Sequence, residues 1–99
     1  MAESEITAAE VAEPHDAEGC FSLGMMYSSG AGIGVDLIEA HKWFNIAAMR
    51  GQGEAAAMRR EIAEQMQDVE VGRAQRAARD WLKTHPQLAP ALAQIRAAA

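Results

Sequence analysis

Residues 29–36, Ser-Gly-Ala-Gly-Ile-Gly-Val-Asp, place glycine at every second position: Gly30, Gly32 and Gly34. A glycine-rich loop can cradle phosphate, because bare backbone N–H groups then close on the anion. That chemistry needs a strand before the loop, and in the Walker form a Gly-Lys-Ser/Thr ending. Here the preceding segment has a helical period, the loop holds no lysine, and Asp36 would repel a phosphate at the next helix start. The loop therefore reads as a helix-to-helix connection in which glycine permits positive φ. No nucleotide or other cofactor is expected.

Nucleophilic and metal chemistry are the next candidates. The histidines are His15, His41 and His85, and Cys20 is the lone cysteine. No pair has the spacing of a metal site such as Cys-x-x-Cys or His-x-x-x-His. A Cys20–His41 pair across a helix hairpin is conceivable as nucleophile and base, but a small thiol in a close-packed core is the expected reading. Glu61 and Glu64, beside Arg60, read as a solvated helix face. No catalytic residue is assigned, and the chain is not expected to be an enzyme. Arg73, Arg76, Arg79 and Lys83 recur three and four residues apart, a basic stripe of the kind that tracks phosphates. Asp80 interrupts it, no aromatic is interleaved, and the net charge of the chain is −5. Nucleic-acid binding is thus the alternative reading rather than the leading one.

The elements that carry these residues fit one small domain. The chain has 99 residues, 49% hydrophobic but only 5% aromatic, which suits thin, close-packed helices. A single cysteine and an acidic N-terminus without an apolar run fit a cytoplasmic location, and no segment reaches the length of a membrane span. Helices are expected near 16–29, 36–50, 53–67 and 69–84. Cys20, Leu23, Gly24 and Tyr27 form one face of the first. Gly30 ends that helix, and Asp36 caps the second, whose inner stripe is Leu37, Ala40, His41, Phe44, Ala47 and Ala48. Ala55, Met58, Ile62 and Met66 face inward from the third. Asp68 opens the fourth, with Val71, Ala74, Ala78, Trp81 and Leu82 inward, and Pro86 stops it. Residues 1–15 form an acidic arm, and 85–99 carry a short tail helix from about Pro90.

With these elements in place, residues 16–51 resemble one Sel-one-like repeat, a relative of the tetratricopeptide repeat. The positions that carry the likeness are Ala17, Leu23-Gly24, Tyr27, Gly30-Ala31-Gly32-Ile33, Asp36, Ala40, Trp43, Ala47-Ala48 and Gly51. Two depart from the family pattern: Ile33 replaces a usual valine and Gly19 a usual alanine. Residues 52–84 read as a degenerate second repeat acting as a C-terminal cap. There Arg59 and Arg60 take the Leu-Gly positions and face water, and Ala78 and Trp81 repeat the spacing of Ala40 and Trp43.

The resemblance implies an all-α fold of antiparallel helix hairpins, stacked as a short right-handed α/α solenoid. It also implies a scaffold or adaptor that binds a protein or peptide partner through first-helix surfaces. On this chain those positions are Glu18, Phe21, Ser22, Met25, Ser28 and Ser29. Phe21 and Met25 lie off the Leu23–Tyr27 packing face and make the candidate contact patch. Charge adds a further expectation. Residues 1–40 carry eight acids and no Lys or Arg, whereas 41–99 carry nine bases against six acids. A weak, salt-sensitive self-association is expected from that asymmetry.

Overall fold

The structure, a computed structural model, describes residue 14 and residues 16–86. They form four helices: α1 (Ala17–Ser29), α2 (Leu37–Met49), α3 (Ala55–Ala63) and α4 (Asp68–Lys83). Among the described residues there is no strand. The expected arm at 1–15, apart from residue 14, and the tail helix from Pro90 lie outside the described residues.

Local chemistry sets the first hairpin. Asp16 caps α1 by accepting from the Gly19 backbone N–H at 2.8 Å. Gly30 ends the helix at φ 81°, and its N–H donates to the Met26 carbonyl at 2.8 Å, the usual left-handed stop. Gly32 is also left-handed, at φ 80°, while Gly34 is not. Two of the three loop glycines are thus needed for backbone reasons. The Asp36 N–H donates to the Tyr27 carbonyl at 3.0 Å, and Ile33 plugs the core at 4% exposure. Asp36 then caps α2 through the Glu39 N–H at 3.1 Å.

Helix α2 is shared by the three main packing interfaces among the described residues: α1, α3 and α4 each lie against it, and the remaining helix pairs have little backbone contact. Its burial is accordingly wider than one stripe. Trp43 and Ile46 are buried along with Ala40, His41, Phe44 and Ala47, whereas Leu37 and Ala48 are only half-buried. A helix packed on several sides must be apolar nearly all round. At Gly24 a Cβ would lie 2.6 Å from Phe44 ring carbons, so only glycine lets the α1 and α2 backbones come this close.

The second half corrects two expectations. Helix α3 ends at Ala63 instead of reaching 67, because Glu64–Met66 turn back toward α4. Met66 still packs on the core, but from this turn. Arg59 does not face water as Arg60 does: its Nη1 donates to Asn45 Oδ1 of α2 at 2.6 Å. The cap of α4 is Gln67, one residue before Asp68, and Glu70 accepts from the Gln67 backbone N–H at 2.9 Å. Ala74 and Ala78 are the buried positions of α4, with Trp81 half-buried. Trp81 meets Trp43 edge-on, ring centroids 5.2 Å apart, and His85 stacks on its other side at 3.9 Å.

Candidate protein-binding surface

Helix α1 packs on α2 along Cys20, Leu23, Gly24 and Tyr27. Its opposite side contains the six residues expected to meet a partner. Glu18, Ser22, Met25 and Ser29 are exposed; Phe21 and Ser28 are half-buried. Phe21 is not free of the core, as its position off the packing face suggested. Its ring lies 5.5 Å from that of Phe44 at a 51° tilt, which is favourable aromatic geometry. Three of the polar members are hydrogen-bonded, two of them within their own turn. Ser28 Oγ donates to the Met25 carbonyl at 3.1 Å, Ser29 Oγ accepts from the Ala31 N–H at 3.2 Å, and Glu18 accepts from Gln52 Nε2 at 3.3 Å. Ser22 and Met25, the latter 40% exposed, are the exposed members whose side chains make none of these contacts.

Beside this face runs a shallow groove of about 200 Å³ lined by Ser28, Leu37, Met58, Glu61, Ile62 and Gln65. Helices α1, α2 and α3 all contribute to it. The sequence pattern missed it because Leu37, Met58 and Ile62 share the helical period of core residues. The available signal was position: Leu37 opens α2 and Ile62 nearly closes α3, so each lies at a helix end where packing gives out.

Of the titratable groups singled out from sequence, Cys20 and His41 are buried. Burial pushes the Cys20 thiol up to about 11, an effect that nearby Arg50 partly offsets. At neutral pH the sulfur is protonated and weakly nucleophilic. His41 is 2% exposed. Burial first, and then Arg59, lower its pKa, so its ring is neutral at pH 7. Its Nδ1 has no hydrogen-bond partner. His85 sits on Trp81, and His15 lies outside the described residues. Among the described residues no group of three or more His, Cys, Asp and Glu is placed to hold a metal ion. None of their helices is long and apolar enough to cross a membrane.

The basic stripe is intact on α4. Arg73, Arg76, Arg79 and Lys83 are all exposed, as is Asp80. None takes part in an ion pair; the one formed among the described residues joins Lys42 and Glu39 at 3.3 Å.

No family model matches this chain, and no curated protein or solved structure compared with it matches either.

Proposed function

We propose that the chain is a non-catalytic protein-interaction module, a Sel-one-like scaffold or adaptor whose helix pairs stack as a short right-handed solenoid. It binds a protein or peptide partner through the outer face of α1. One observation carries this reading: α1 packs chiefly against α2, and it presents Ser22 and Met25 to solvent next to the groove. A helix with a buried side and an exposed apolar residue offers a docking face without further rearrangement. The protonated, buried Cys20 thiol supports a structural place for the residue that most resembled a nucleophile. A reducing, cytoplasmic setting fits that free thiol.

Selection from a displayed random-peptide library against the purified chain tests the reading. Binders are expected whose affinity falls at least about tenfold on Met25→Glu, a loss of roughly 1.4 kcal/mol. Circular dichroism should show the fold of that variant unchanged. A library that yields only binders indifferent to Met25 and to the groove would remove α1 as the docking face. The alternative, nucleic-acid binding, draws on the four exposed, unpaired cations of α4. It predicts a band shift that weakens steeply with salt and is lost on Arg73→Glu/Arg76→Glu.

A further inference from the structure

Four large apolar side chains are exposed among the described residues: Met25, Val35, Met49 and Val69. Val69 differs from the others in its surroundings. It stands 56% exposed at the start of α4, on the side facing away from Ala74 and Ala78. Arg73 follows one turn later and Arg76 nearly two turns later, both exposed and without ion pairs. Val69 is thus an apolar knob with Asp68 and Glu70 beside it in sequence and Arg73 and Arg76 further along its own face of α4.

The groove has the opposite character. Leu37, Met58 and Ile62 give it apolar walls, and Glu61 stands exposed at its rim with no cation paired to it. At about 200 Å³ it is smaller than the roughly 300–1,000 Å³ of small-molecule sites, and it suits one branched aliphatic side chain. The same chain therefore presents an apolar groove with an acid at its rim and an exposed valine with an arginine one turn away.

We propose that the groove receives Val69 of a second copy of this chain, with Arg73 of that copy beside Glu61. The inference rests on the protein-interaction reading and names its partner. Knob and groove are distinct patches, so each copy offers both halves of the contact. The charged pair at the rim sets orientation and salt dependence, and the buried valine supplies the apolar area.

Sedimentation velocity over a range of protein and salt concentrations tests this. The wild-type chain should sediment faster as its concentration rises, and less so at high salt. Val69→Asp should abolish the association, and Val69→Ser should weaken it. Glu61→Lys should weaken it by about an order of magnitude, since an attraction becomes a repulsion. Both positions are exposed, so the variants should keep the helical circular dichroism of the parent. A mixture of Val69→Asp and Glu61→Lys chains should associate again, because the first retains a groove and the second a knob. A wild-type chain that stays monomeric at every concentration overturns the proposal. So does an association indifferent to both substitutions, or a mixture that behaves as the sum of its parts. None of these results bears on peptide binding at Met25, which stands or falls by its own selection experiment.

Discussion

A Cβ on Gly24 of α1 would lie 2.6 Å from the Phe44 ring, whereas a Cβ on Gly72 of α4 would meet nothing nearer than Arg76 Nη1 at 3.5 Å. The same contrast runs through the two halves of the chain. In α1 and α2 both N-termini are capped by aspartate side chains, and left-handed glycines turn the connecting loop. Helix α3 starts from Glu54 without a side-chain cap and runs nine residues. Helix α4 buries chiefly Ala74 and Ala78. The first half closes on itself by steric fit, while the second is attached to α2 by particular contacts: Arg59 on Asn45, Trp81 on Trp43, Ile62 in the core. Close packing tolerates little change in volume, and attachment through a few side chains tolerates much more.

Removing the residue that joins the halves strains this contrast most. Trp43 is 6% exposed, donates from Nε1 to Glu39 at 3.1 Å and carries Trp81 on its edge. Trp43→Ala should cost about 3–5 kcal/mol, a large part of what a small domain possesses, read as a lower midpoint in urea unfolding. A loss below about 1 kcal/mol would mean that α4 is held by something other than the tryptophan pair.

The two glycines sharpen the comparison by changing sign. Gly24→Ala should destabilise by about 1–3 kcal/mol, since the added methyl overpacks against Phe44. Gly72→Ala should stabilise by about 0.5–1 kcal/mol, because the site is open and alanine stiffens a helix interior. Equal effects in thermal melts would refute the claim that the halves are packed differently.

The α2–α3 contact gives the smallest and most gradual effect. The pKa of His41 in the folded chain is lowered below its ordinary 6.5. Its neutral ring therefore contributes stability that is fully present above pH 6.5 and is lost as pH falls. Below that value the unfolded chain takes up a proton that the buried ring, beside Arg59, refuses. One titrating group limits the slope to at most about 1.4 kcal/mol per pH unit, and it ends where the folded state also titrates. Melting temperature against pH should show it, and His41→Gln should flatten it. An unchanged slope in the variant would place the titrating group elsewhere.

How legible each half was follows from the same difference. Asp16, Gly30, Gly32 and Asp36 were readable because capping and positive φ each demand particular residue types at fixed offsets. Tyr27, Ala40, Phe44 and Ala47 were readable because apolar residues recurred with the helical period. Arg59 was not, since an arginine's pattern does not reveal that its guanidinium will reach a side-chain amide fourteen positions away. The early end of α3 was also hidden: Met66 continues the apolar period past Ala63, and periodicity carries no signal for a turn that keeps the same side chain inward. Of the candidate surface, the pattern told only that Phe21 and Met25 lie off the Leu23–Tyr27 packing face, not whether either is exposed. The half-covered Phe21 and the groove depended on how α1, α2 and α3 meet, which no single helix encodes.

Because α2 belongs to each of the three main interfaces, the helices cannot open independently of it, but they can open independently of one another. Amide protons of α2 near Phe44 and Ile46, both 0% exposed, should exchange with solvent only when the whole domain unfolds. Helix α3, short and without a side-chain cap, can lift from α2 at the lowest cost while α1 stays docked. Such an opening would take the Met58, Glu61 and Ile62 wall of the groove with it. The surface would then be present for only part of the time, and a ligand's apparent affinity would be scaled by that fraction.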